Sequence, residues 1–255
     1  MKAIIYNSGL GKRMCDLTKN CHKSMVKLEN GETIYERQLR ILNKCGIKEV
    51  IVTVGPFKEQ LIEVSKKEIY KNMSFTFVEN QVYQETNYIY SMYLAKNYLN
   101  DDVLSLHGDL VFDEGLLRSI IRSPIPSLGL CNPKKKLPEK DFKGRVKDGK
   151  IMEVSINIFD NNCFAFQPLY KFSKQDINKW VEKVIEYIES GNNKVYAENA
   201  LNELLPSMDI KAVSYEEHYI DEIDTPEDLK RVSMEIVDYE KAFKSINKDL
   251  KIVIY

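Results

Sequence analysis

Several features that would define a function at once are missing from this 255-residue chain. Its five cysteines, at 15, 21, 45, 131 and 163, include no Cys-x-x-Cys pair, and only His22 stands beside one of them. That spacing argues against a structural zinc site. The cysteine count is odd and no apolar run is long enough for a secretory leader or a membrane span, so a reducing, cytoplasmic setting is expected, with no membrane partner. The formal net charge is -1, from 37 basic and 38 acidic side chains. A general nucleic-acid binder needs a surplus of cations, so no nucleic-acid partner is expected. No repeat, low-complexity tract or Pro/Ser-rich linker marks a boundary. At 44% hydrophobic, the chain can bury one large core. The expected division is a single domain over 1–236, with a C-terminal helix and tail over 237–255.

What is present starts at the N-terminus. The apolar run Ala3-Ile4-Ile5-Tyr6 opens into Asn7-Ser8-Gly9-Leu10-Gly11-Lys12-Arg13, and His22-Lys23-Ser24 follows. This reads as a strand feeding a phosphate loop. Glycines let backbone N–H groups approach an anion, while Arg13 and Lys23 add fixed positive charge. The spacing does not fit a Walker loop, and Met14 stands where a dinucleotide fingerprint has its third glycine. His22, alternating with Lys23 in an extended stretch, reads as a structural neighbour rather than a catalytic group.

Further along, strand and helix patterns alternate. A helical stripe over Tyr35–Cys45 ends at Gly46, a strand runs over Glu49–Val54, and a helix over 57–68 leads to a strand over Phe75–Val78. A tyrosine-rich helix over 87–99 precedes the strand Val103–Leu106, which runs into His107-Gly108-Asp109. Alternation of this kind builds right-handed βαβ units. The expected fold is α/β and Rossmann-like, with a mostly parallel central sheet and helices on both faces. A small β-hairpin region is expected over Lys143–Val146 and Ile151–Ile156, turning at Asp148-Gly149. Helices over 174–189 and 197–205, a strand over 210–214 and a helix opening at Thr225 complete the pattern.

Two acidic residues attract attention. Asp109 lies just past the carboxyl end of a central strand, where open α/β sheets place their ligands. Asp224 precedes Thr225-Pro226-Glu227-Asp228, in which Thr225 and Asp228 account for the helix start. Asp224 is thereby left for another task, and two carboxylates from distant parts of a chain suit magnesium. The chain has only three histidines, so a reaction that can proceed without a general base matters here. A phosphate monoester near pH 7 is mostly a dianion and attacks phosphorus unaided.

The run Gly9-Leu10-Gly11-Lys12-Arg13 with downstream Lys23 resembles the signature of nucleotidyltransferases that join a nucleoside triphosphate to a phosphate monoester. Their sugar-phosphate members have a glycine-containing stretch where this chain has no glycine between Gly55 and Gly108. The segment Asn80 to Ala95, with Asn87-Tyr88-Ile89-Tyr90-Ser91, instead resembles the CTP:phosphocholine cytidylyltransferases and relatives acting on other small phosphorylated amines. Cys21-His22-Lys23-Ser24 and Glu222-Ile223-Asp224-Thr225 match further blocks of that family, so the resemblance spans residues 3 to about 230. It implies a nucleotidyltransferase fold, with CTP and a small phosphorylated acceptor as partners and Mg2+ as cofactor. Ser8, Gly9, Leu10, Gly11, Arg13, Glu79 and Asn80 would bind nucleotide, Arg13 and Lys23 would be catalytic, and Asp109 and Asp224 would hold the metal. Asn87, Tyr88, Tyr219 and Glu222 would meet the acceptor, Tyr88, Tyr90, Tyr93 and Tyr219 being candidates for a cage around a cationic head group.

The departures are Tyr6-Asn7-Ser8 where the family usually has Leu-Ala-Ala, and Cys21-His22 in place of the common proline before the lysine. A sugar-1-phosphate nucleotidyltransferase and a non-catalytic nucleotide-binding regulator are the competing readings. The first is disfavoured by the missing glycines, the second by retention of Arg13, Lys23 and both aspartates. The pattern leaves homo-oligomer formation open.

Overall fold

The computed structural model describes residues 1–242 and 251–253. Strands β1 (Lys2–Asn7), β2 (Glu49–Val54), β3 (Ser74–Glu79) and β4 (Val103–His107) lie parallel in the order β3-β2-β1-β4. Alternate residues of β1 enter different cores. Ala3 and Ile5 pack with Tyr35 and Leu39 of α1 (Ile34–Lys44), Leu61 of α2 (Lys58–Ser65) and Leu116 of α4 (Glu114–Arg122). Ile4 and Tyr6 face Ile89 and Met92 of α3 (Tyr88–Ala95), Trp180 of α5 (Lys174–Glu189) and Leu201 of α6 (Ala197–Leu204). A strand covered on both faces needs an unbroken apolar run, as residues 3–6 supply.

Local chemistry accounts for the element ends. Thr33 caps α1 through a reciprocal bond with Glu36, and Gly46 takes φ +85 after it. Thr225 Oγ1 accepts from the Asp228 N–H at 3.1 Å while Asp228 accepts from the Thr225 N–H at 3.0 Å, opening α7 (Pro226–Ala242). The hairpin of β7 (Lys143–Lys147) and β8 (Lys150–Ser155) turns at Asp148 and Gly149, both at positive φ, the geometry a tight two-residue turn demands.

The sheet expected to be mostly parallel is parallel only in its N-terminal part and mixed beyond it. Its centre is β9 (Cys163–Phe172), which runs antiparallel to β4, β6 (Leu128–Asn132) and β7. β6 is parallel to β10 (Lys211–Ser214), and β12 (Lys251–Ile252) pairs antiparallel with β10. Pro168 hides β9 from a pattern reading, because proline opposes a central strand. The β6–β9 register shifts between Gly129, paired with Tyr170, and Leu130, paired with Gln167, so Pro168 falls where the ladder is interrupted. Of the segment 237–255, α7 covers 237–242 without a break at 236; residues 243–250 and 254–255 lie outside the described residues. Among the described residues no helix is long and apolar enough to cross a membrane.

Candidate active site

A cavity of about 350 Å³ opens at the carboxyl ends of β1 and β4. Ser8, Gly9, Gly11, Lys12 and Arg13 line one side. Gly11 has φ +61, and a Cβ there would stand 2.8 Å from Lys23 Cβ, so only glycine lets the lysine stem lie against the loop. Gly108 is required for a similar reason, since its Cβ would meet Asn7 Oδ1 at 1.7 Å. Lys23 starts a short helical turn capped by His22, whose Nδ1 accepts from the Ser24 N–H at 3.2 Å. Burial lowers the His22 pKa to about 4, so the imidazole is neutral near pH 7.

Two carboxylates 115 positions apart meet because of a small second sheet, in which β5 (Leu110–Phe112) pairs antiparallel with β11 (Ile220–Glu222). The Ile223 N–H extends the ladder by donating to the Asp109 carbonyl at 3.1 Å. Buried Gln38 of α1 clamps the turn before β5, its amide donating to the carbonyls of His107 (3.0 Å) and Leu110 (2.9 Å). Lys23 Nζ then sits 2.7 Å from Asp109 Oδ2 and 2.5 Å from Asp224 Oδ1. Arg13 reaches Asp224 Oδ2 at 2.9 Å, but its side chain is 62% exposed and the pair is a weak tether.

Burial works against the Lys23 charge, yet Asp109 and Asp224 outweigh it and hold the ammonium above its usual pKa. Burial likewise opposes ionisation of Asp109, and the nearby Lys23, with His107 beyond, keeps its carboxyl below the usual range. Glu222 behaves oppositely. Burial, then the charges of Asp109, Asp224 and Asp141, push it well above the ordinary carboxylate value. Its Oε1 and Asp109 Oδ1 are buried without a hydrogen-bond partner. Ligand oxygens of Asp141, Glu222 and Asp224 lie within 4.8 Å of one another. Three oxygen donors gathered this closely, Glu222 among them carrying an unsatisfied buried oxygen, fit a hard divalent cation, and Asp109 stands beside them, joined to Asp224 through Lys23.

Another part of the lining is aromatic. Tyr6, Tyr88, His107, Phe142 and Tyr196 line it in a chain of ring contacts: Tyr6–Tyr88 at 5.0 Å, Tyr88–His107 at 4.7 Å, His107–Phe142 at 6.4 Å and Phe142–Tyr196 at 5.1 Å.

Of the residues picked from sequence, Ser8, Gly9, Gly11, Arg13, Lys23, Asn87, Tyr88, Asp109, Glu222 and Asp224 all line this one cavity. Leu10 is adjacent to the lining and not part of it. Glu79 lies outside it, exposed and ion-paired to Lys58 at 2.6 Å. Asn80 is buried outside it, donating to Thr86 and Ser91 and accepting from the Val82 N–H, which holds the loop behind Ser8. Tyr219 also lies away from the cavity, its hydroxyl donating to Glu235 at 2.9 Å and its ring 6.0 Å from Tyr239. Tyr90 and Tyr93 stack on each other at 5.8 Å, outside the lining. Sequence reasoning missed Asp141, Phe142, His107 and Tyr196. Asp141 directly follows the charged stretch Lys134 to Lys140, where an acidic residue looks like ordinary surface, and no spacing links Tyr196 to the loop.

Residues 3–127 match the model of the MobA-like NTP transferase domain. The chain is 25% identical over 235 residues to the choline-phosphate cytidylyltransferase of Haemophilus influenzae, covering 91% of this chain and 96% of that protein. It is 27% identical over 237 residues to the 2-aminoethylphosphonate cytidylyltransferase of Lancefieldella rimae, covering 89% of each. Its fold is that of the CTP:phosphocholine cytidylyltransferase of Streptococcus pneumoniae, at a TM-score of 0.77 and 23% identity over 92% of this chain and 98% of that one. With that domain over its N-terminal half, such relatives along nearly its whole length and a shared fold, the chain belongs to the nucleotidyltransferases.

Proposed function

We propose that this enzyme transfers CMP from CTP to a small phosphate monoester, phosphocholine or a similar phosphorylated amine, with release of pyrophosphate and dependence on magnesium. The observation that carries the reading is the mixed lining of one cavity: a glycine loop with Lys23 held between Asp109 and Asp224, together with a chain of aromatic rings and Glu222. The relatives' names point the same way, since choline phosphate and 2-aminoethylphosphonate both join a nitrogen cation to a phosphorus acid.

In this reaction a phosphate oxygen of the acceptor forms a bond to the α-phosphorus of CTP. The bond from that phosphorus to the bridging oxygen breaks, and pyrophosphate leaves with the electron pair. Lys23 and Arg13 offset charge on the equatorial oxygens and the leaving group. No side chain has to take a proton from a dianionic acceptor, and His22, buried and neutral, serves to cap the turn that presents Lys23. Asp109 and Asp224, with Asp141 and Glu222 in reach, are the residues that would hold magnesium. When bound, the ion would neutralise triphosphate charge that the two cations cannot offset alone.

The test is a pyrophosphate-release screen of CTP, UTP, ATP and GTP against phosphocholine, phosphoethanolamine, glycerol phosphate and glucose-1-phosphate, with and without magnesium. CTP with the two amines should give the fastest release, and only with magnesium. Glucose-1-phosphate as the best acceptor would overturn the acceptor assignment, and release independent of magnesium would overturn the metal assignment.

A further inference from the structure

Behind the aromatic wall, outside the cavity lining, stands the carboxylate of Glu198, 1% exposed near the start of α6. Its Oε1 accepts from the Tyr170 hydroxyl at 3.0 Å, and its Oε2 accepts from the hydroxyl of Tyr88. Among the described residues no Lys or Arg forms an ion pair with it. The mount is rigid: Trp180 Nε1 donates to the neighbouring Ala197 carbonyl at 3.0 Å, and the Tyr170 ring packs 5.7 Å from Trp180.

A buried carboxylate with no cationic side chain beside it is costly even in the first turn of a helix, whose N-terminus offsets part of that cost, and a neutral amide could tie the same elements together more cheaply. What the carboxylate adds is negative charge applied through one particular ring. A phenol that donates to a carboxylate shifts electron density onto its π face, and a cation is drawn to that face. Tyr88 presents its ring to the cavity between Tyr6 and His107.

We infer that Glu198 is a positioning residue that sets acceptor specificity: hydrogen-bonded to Tyr88 from behind, it biases the cavity toward acceptors with a cationic head group. This rests on the phosphorylated-amine reading above. A purely structural tie between α3, β9 and α6 would affect every acceptor alike.

The experiment compares phosphocholine with its uncharged carbon isostere, 3,3-dimethylbutyl phosphate, in wild type, Glu198→Gln and Tyr88→Phe. KM and kcat come from pyrophosphate release and Kd from calorimetry. Wild type should prefer the cation. The ratio of KM for phosphocholine to KM for the isostere should rise about tenfold in Glu198→Gln, with the KM for CTP unmoved. Tyr88→Phe keeps the ring and cuts the link, so it should move the ratio in the same direction by less. A ratio unchanged in both variants, or no cation preference in wild type, overturns the inference. If Glu198→Gln fails to fold, Tyr88→Phe decides by the same ratio. If wild type releases no pyrophosphate with any acceptor, the proposed reaction has failed, and the calorimetric ratio still decides the role of Glu198.

Discussion

The glycine-loop part and the aromatic part of the cavity are made in different ways. In the first, Ser8, Gly9, Gly11, Arg13 and Lys23 come from one stretch of 16 residues, joined by two carboxylates that the β5–β11 ladder delivers. In the second, Tyr6, Tyr88, His107, Phe142 and Tyr196 each come from a different part of the chain. An anion is gripped by backbone N–H groups and point charges, which a single loop can carry. A bulky cation is held by surface, and surface has to be assembled from packed elements. Substitutions in the first part should therefore act on turnover, and substitutions in the second on acceptor binding.

The most severe break is Lys23→Ala. Loss of one preorganised cation should lower kcat by about a hundredfold or more while the acceptor KM changes little. Initial-rate kinetics on a variant with native circular dichroism decides it, and wild-type kcat would remove Lys23 from the chemistry.

Next comes the pH response of the same part. The unfolded imidazole of His22 takes up a proton near its ordinary value of 6.5, whereas the buried one resists until about 4. The unfolded state therefore binds more protons in this window. The His22 contribution is complete above about pH 6.5 and is lost as pH falls toward 4, by up to about 3 kcal/mol. Urea unfolding across that range should show a shallower acid decline in His22→Gln than in wild type. Parallel pH profiles would mean the buried ring does not govern it.

Asp109→Asn and Asp224→Asn should each raise the magnesium needed for half-maximal rate by about ten- to hundredfold or more, the loss of a ligand being at least as costly as the loss of an outer-shell partner. Asp224→Asn with unchanged magnesium dependence and only a lower melting temperature would reduce Asp224 to a support of the α7 entry.

The smallest effect sharpens the comparison from the aromatic side. Tyr196→Leu should weaken phosphocholine binding by about 0.5 to 2 kcal/mol, the range for one ring facing a cation, with kcat nearly unchanged. Tyr219→Phe should leave the acceptor KM where it is, because Tyr219 faces Glu235 and Tyr239 instead of the cavity. A larger loss from Tyr219→Phe than from Tyr196→Leu would mean the acceptor sits elsewhere.

Legibility in the sequence followed the same division. β1, the glycine loop, the α1 stop at Gly46, the Asp148-Gly149 hairpin and the Thr225 cap were readable, because each depends on residues within a few positions of one another. β9 was not, since Pro168 breaks its pattern and a register shift in a partner strand removes the conflict. Tyr219 looked well placed, five positions before Asp224, but β11 turns it toward α7.

Short-range chemistry was thus enough to specify the glycine loop, its two cations, the helix caps and an α/β alternation, because backbone angles and periodicity act over a few residues. That Asp109 and Asp224 close on one ammonium depends on a three-residue ladder between strands more than a hundred positions apart. The aromatic wall, and the carboxylate behind it, likewise exist only once α3, α6, β4 and β7 have packed, since burial and ring contact are properties of neighbours in space that no local pattern encodes.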